Sequence, residues 1–131
     1  MAGLFRLVFE GTLQALASAI VQMELLAKAI KTNDLQSANR VIELTELRPQ
    51  IEIVDVSRPI VMEAALARAE GLEVADSIVL ATGTVAECDV TITNDKRWRN
   101  AVDRLSRRPL TARGERFLDR PPVLCLDEYA D

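Results

Sequence analysis

Three carboxylates carry the chemistry this sequence can offer: Glu24, Asp76 and Asp95. Asp76 opens an apolar run, Ser77-Ile-Val-Leu-Ala-Thr-Gly-Thr84. A short β-rich run, Asp89-Val-Thr-Ile-Thr93, follows and ends in Asn94-Asp95. Two acids thus stand at the mouths of two successive elements. Oxygen ligands suit Mg²⁺ or Mn²⁺, and Mg²⁺ needs only a few protein carboxylates because it keeps several waters. Such an ion activates water and steadies charge on a phosphate, which is what phosphodiester cleavage requires. Each acid also has a plainer role when taken alone. Asp76 would cap a helix, Glu24 would face solvent from one, and Asp95 would serve a turn. At a helix start, the macrodipole favours the ionised form of Asp76.

Other chemistries are excluded by what the chain lacks. It has two cysteines, Cys88 and Cys125, and no histidine. A four-ligand zinc site, a Cys–His pair and a Ser-His-Asp triad are therefore out of reach. Both cysteines border apolar runs, so they read as buried free thiols, and a reducing, cytoplasmic location follows. Leu4 to Ile30 is apolar-rich, but Arg6, Glu10, Gln14, Gln22, Glu24 and Lys28 interrupt it, so no membrane span is expected. The net charge is -4, which gives no global pull toward a polyanion. Positive charge is nevertheless concentrated: Lys96, Arg97, Arg99, Arg104, Arg107, Arg108, Arg113, Arg116 and Arg120 all follow Asp95. The first three would form a basic rim beside it.

The elements that must position these groups are legible in outline. Residues 4–10 read as a strand or the end of a helix, and Gly11 breaks them. Leu13 to Ser18 is a short alanine-rich strand. Ser18 then caps a helix over about Ile20 to Lys31, with Ile20, Met23, Leu26, Ala27 and Ile30 as its apolar positions. Asn33-Asp34 ends it and caps a second helix, about Leu35 to Leu47, closed by Pro49. Ile51 to Val56 alternates as a strand does. Ser57 and Pro59 start a helix with Ile60, Met62, Ala65, Leu66 and Ala69 on its apolar side, stopped by Gly71. Another helix covers about Ala75 to Ala86, and Val90 to Thr93 is a strand. Pro121-Pro122 introduce a last strand from Val123. Strands alternating with helices predict an α/β domain with a mainly parallel sheet. Active sites in such sheets lie beyond the carboxyl ends of the strands, where Asp95 falls.

Four segments together resemble the PIN-domain family. Glu70-Gly-Leu-Glu-Val-Ala-Asp76-Ser-Ile-Val-Leu-Ala-Thr82 is similar to the family's loop, Asp and apolar helix, with Gly83 where Ala is usual. Cys88-Asp-Val-Thr-Ile-Thr93-Asn94-Asp95 resembles the strand that follows. Ser18-Ala-Ile-Val-Gln-Met-Glu24-Leu-Leu resembles the earlier segment that contributes a Glu. Val123-Leu-Cys-Leu-Asp127-Glu looks like the final strand. The resemblance spans about residues 12–98 and 121–128. It implies a three-layer, metal-dependent ribonuclease fold, often the toxin half of a VapC-type toxin–antitoxin pair. Glu24, Asp76 and Asp95 then match acidic positions that hold Mg²⁺ or Mn²⁺, and Ser18 and Asn94 match polar positions nearby. RNA, a cognate antitoxin and a second copy of the chain are the implied partners. Lys96, Arg97 and Arg99 would touch RNA, and Trp98 would stack on a base or pack.

The resemblance fails at one place. The family has a further Asp at the end of its first strand, yet only 23 residues precede Glu24. The expectation is a single PIN-like domain over 1–131, truncated at its N-terminus, with 99–120 as a basic loop or arm. The missing first strand would leave two sheet edges unpaired, to be repaired by dimerisation, strand exchange or Leu4–Phe9. Three functions stay open: a PIN-type ribonuclease, an impaired PIN remnant that binds protein or RNA, and an unrelated α/β interaction domain.

Overall fold

A computed structural model describes residues 2–107 and 122–125. The chain divides into two compact units, Met1–Val56 and Ser57–Asp131. Among the described residues no helix is long and apolar enough to cross a membrane.

In the first unit, helix α1 (Ala2–Phe9) is followed by strand β1 (Ala15–Ser18) and helix α2 (Ala19–Lys31). Helix α3 (Leu35–Ile42) runs on into a π-helical turn over Glu43–Leu47, and strand β2 (Ile51–Val54) ends the unit. The two strands pair in parallel, with Ala15 opposite Ile51 and Ser18 opposite Val54. Ser18 caps α2 as expected, its buried Oγ accepting the Ile20 N–H at 3.3 Å. Asp34 likewise caps α3 through the Ser37 N–H at 3.0 Å. Gln22 of α2 donates to Thr45 Oγ1 at 2.8 Å and to Glu46 Oε1 at 2.6 Å, which ties that helix to the π-helical turn.

Leu4–Phe9 does not fill a sheet edge; it belongs to α1. The reason lies in its spacing. Phe5 and Phe9 are four residues apart, and on a helix their rings stack at 6.2 Å between centroids. The Arg48 guanidinium lies 5.8 Å from the centroid of the Phe9 ring.

The second unit contains helices α4 (Arg58–Ala69) and α5 (Val74–Val85), strand β3 (Thr91–Thr93), helix α6 (Trp98–Ser106) and strand β4 (Val123–Cys125). β3 and β4 pair in parallel from Thr91↔Val123 to Thr93↔Cys125. The fold is thus α/β with short parallel strands, consistent with the expected architecture. Helices α4 and α5 form a hairpin across four residues, Glu70 to Glu73. The core gathers Leu66 and Ala67 of α4, Leu72 of the turn, Leu80 of α5, and Trp98, Ala101 and Leu105 of α6. Truncating Leu80 or Leu105 to Ala would cost about 2–5 kcal/mol.

Two helix faces differ from expectation. In α2, Met23, Ala27 and Ile30 are exposed and the buried position is Ala29. The buried positions of α4 are Ile60, Glu63, Ala64, Leu66 and Ala67, whereas Met62, Ala65 and Ala69 are exposed. A carboxylate occupies the inner face, and the hydrophobic pattern finds Ile60 and Leu66 but misses Glu63, Ala64 and Ala67. Ser57 precedes α4 without a side-chain cap bond, leaving Pro59 as its start signal. Arg104 of α6 fastens the hairpin turn: its guanidinium donates to the Glu70 carboxylate and to the Glu70 carbonyl.

Helices α1, α2, α4 and α5 end in the same way. The residue past each cap has a positive φ: Gly11 (81°), Asn33 (54°), Gly71 (101°) and Glu87 (56°). Each is followed by a 6→1 backbone bond, such as Leu72 N–H to Ala67 O at 3.3 Å and Cys88 N–H to Gly83 O at 3.0 Å. Glycine and asparagine enter this region easily, but glutamate does not. Glu87→Gly should therefore stabilise the fold by about 0.5–1 kcal/mol. Urea denaturation would check this, and an unchanged or lower midpoint would refute it.

Candidate functional site

Asp76 sits in the first turn of α5, as its sequence position implies. Its place depends on the hairpin turn before it. Gly71 reverses the chain, Leu72 enters the core, and α5 starts after Glu73. Ser77, 1% exposed, locks this start by donating its hydroxyl to the Leu72 carbonyl at 3.4 Å.

Asp95 lies two residues past β3. Its N–H donates to Thr93 Oγ1 at 3.1 Å, which turns the chain out of the strand. Its carboxylate is heavily engaged. Oδ1 accepts the Arg97 backbone N–H at 2.9 Å and Arg97 Nε at 3.0 Å. Oδ2 accepts Nε at 3.0 Å and Nη2 at 2.6 Å. The plain turn role is therefore filled, with a guanidinium fork added to it.

The two acids are close enough to act on each other, and their surroundings push them apart. Burial, then the Asp95 charge, raises the Asp76 pKa above the ordinary 3.8. Glu73 adds to this rise. The Trp98 indole N–H and Arg97 work against it. Trp98 Nε1 is buried and makes no bond of full hydrogen-bond geometry, yet it is near enough to Asp76 to favour the charged form. The position of Asp76 at a helix start suggests a lowered pKa; desolvation and a like charge leave it raised. Asp95 moves the other way. Its hydrogen bonds from the Arg97 side chain and backbone hold its carboxyl below 3.8.

The remaining candidates are more scattered. Asn94, Lys96 and Arg99 are exposed around Asp95. Ser18 and Glu24 belong to the first unit, where Ser18 is buried at the start of α2 and Glu24 is exposed on that helix. Within the second unit, no third Asp, Glu or Cys joins Asp76 and Asp95 in a metal-holding group among the described residues. Arg108, Arg113, Arg116, Arg120, Asp127 and the arm beyond Arg107 lie outside the described residues. Trp98 is 3% exposed and is part of the core, so it does not stack on a base. Cys88 is a free, half-buried thiol whose pKa burial pushes up, with Asp89 adding to the shift.

Sequence reasoning passed over two residues that shape this place. By its sequence Thr93 only ends its strand, yet its hydroxyl fixes the Asp95 backbone. The Thr-x-Asp spacing after a strand was the available signal. The sequence draws attention to the ring of Trp98, whereas its N–H is what bears on Asp76.

A raised pKa means that the folded chain takes up the Asp76 proton before the unfolded chain does. The group's contribution favours folding below the ordinary carboxylate range and is lost as pH rises through the raised value. Asp76→Asn should therefore raise the Tm at pH 7, with the gain vanishing toward pH 4. Asp95→Asn should do the reverse at pH 7, because a depressed pKa stabilises above the ordinary range. Thermal melts across that range check both signs.

Comparison with known proteins adds one finding. The model of a family described as the PIN domain matches residues 5–103. No curated protein and no solved structure matches.

Proposed function

Because the chain belongs to the PIN-domain family, which is generally made up of metal-dependent nucleases, we propose that it is a metal-dependent endoribonuclease hydrolysing RNA phosphodiester bonds, of the toxin type. The observation that carries the reading is the pairing of Asp76 and Asp95 at the start of α5 and the end of β3. Two carboxylates that repel each other are a donor set suited to a hard cation, and a guanidinium already sits on one of them. Asp76 and Asp95 would hold Mg²⁺ or Mn²⁺. Glu24 is assigned the same role from its sequence match alone.

When bound, the cation would supply an activated water and offset charge developing on the phosphate. The chain's own groups do the rest. Ser77 and Thr93 fix the backbones from which the two acids project. Lys96 and Arg99 present positive charge to the RNA backbone beside them, a contact that weakens as salt rises. Asn94 offers a neutral polar group next to Asp95, and Ser18 is carried over from the family pattern. A cognate antitoxin, a homodimer and a cytoplasmic setting belong to the same proposal.

A second reading is an impaired PIN domain that binds RNA or protein without cutting. The engagement of both Asp95 oxygens by Arg97 favours it. Cleavage of labelled single-stranded RNA in Mn²⁺ separates the two. Asp76→Asn should slow cleavage by about 100-fold, the scale on which one electrostatic group acts, and EDTA should abolish it. Folded protein that binds the RNA and leaves it whole would overturn the nuclease and support the second reading.

A further inference from the structure

The cation seated on Asp95 belongs to the chain itself. Arg97 contacts both carboxylate oxygens through Nε and reaches Oδ2 through Nη2, the fork geometry in which guanidinium binds carboxylate most strongly. Those oxygens are the ones a divalent ion would need. We propose that Arg97 is a built-in competitor for the divalent cation at Asp95, so that loading the site requires the guanidinium to leave; this rests on the metal-site reading above.

Three features make the exchange local. First, the Arg97 side chain is 76% exposed and that of Asp95 27%, so solvent screens their attraction and water can replace it. Second, the partners are two residues apart, so the guanidinium remains at high effective concentration and rebinds as soon as the ion departs. Third, the Arg97 backbone N–H, not its side chain, also holds Oδ1. That bond and the Thr93 hydroxyl keep Asp95 aimed while the side chain swings away. The carboxylate is thus oriented by the backbone and blocked by the side chain, and the two roles are separable by mutation.

Arg97 is in this sense a positioning residue of opposite sign: it lowers metal affinity instead of raising it. Raising the metal concentration would displace it, and added salt would loosen it. Charge alone does not reproduce the block. Lysine carries the charge but lacks the planar fork that sets one N–H against each oxygen.

The test is calorimetric titration of the full chain with Mn²⁺ in the absence of RNA, with circular dichroism confirming that each variant is folded. Arg97→Gln should bind Mn²⁺ about fivefold more tightly than the unaltered chain, the upper range for an exposed ion pair. Arg97→Lys should fall between them. With Asp95→Asn in the background, the residue-97 effect should disappear. Equal or weaker binding by Arg97→Gln, with binding by the unaltered chain lost in Asp95→Asn, would overturn the competitor and leave the metal site standing. No Mn²⁺ binding by either the unaltered chain or Arg97→Gln would overturn both.

Discussion

The burial of Trp98 is the constraint on which the second unit depends. One side chain serves the core and the candidate site at once. Its ring packs with Leu66, Leu72, Leu80 and Leu105, and its N–H lies near the Asp76 carboxylate. An indole N–H left without a partner in an apolar interior is costly. The nearby carboxylate eases that cost, and the indole in return favours the charge on Asp76. The hydrophobic packing of α4, α5 and α6 and the electrostatics at the start of α5 are thus not independent designs.

The same economy appears at Asp95. A turn residue must satisfy backbone donors, and this one does so with a carboxylate that is also the strongest acid of the site. Its neighbours lower its pKa while burial and Asp95 itself raise that of Asp76. Two identical side chains end up with opposed proton affinities because one faces a guanidinium and the other faces the core.

Much of this was legible in the sequence. The α4–α5 hairpin announced itself through Pro59, Gly71 and the apolar run after Asp76, and Ser18 and Asp34 gave their caps away by type and position. The PIN-domain resemblance was carried by four ordered segments, three of which fall wholly within the matched region 5–103. What was not legible has physical causes. A period-based reading assumes that the inner face of a helix is apolar, and Glu63 breaks that assumption in α4. Residues 4–10 carry no alternation, so only the i,i+4 meeting of Phe5 and Phe9 distinguishes helix from strand. The rise at Asp76 depends on its burial and on three-dimensional neighbours. The fork of Arg97 on Asp95 likewise follows from the turn's backbone, not from spacing alone.

The position of the single tryptophan has a practical consequence. Trp98 is the only indole in the chain, and it lies wholly within the second unit. Its emission therefore reports the packing of α4, α5 and α6 around it. An unfolding curve followed by tryptophan fluorescence describes one unit, whereas far-ultraviolet dichroism, dominated by helices in both, describes the whole chain. Coincidence of the two curves would mean that the units melt as one cooperative body, and separation would mean that each holds its own stability.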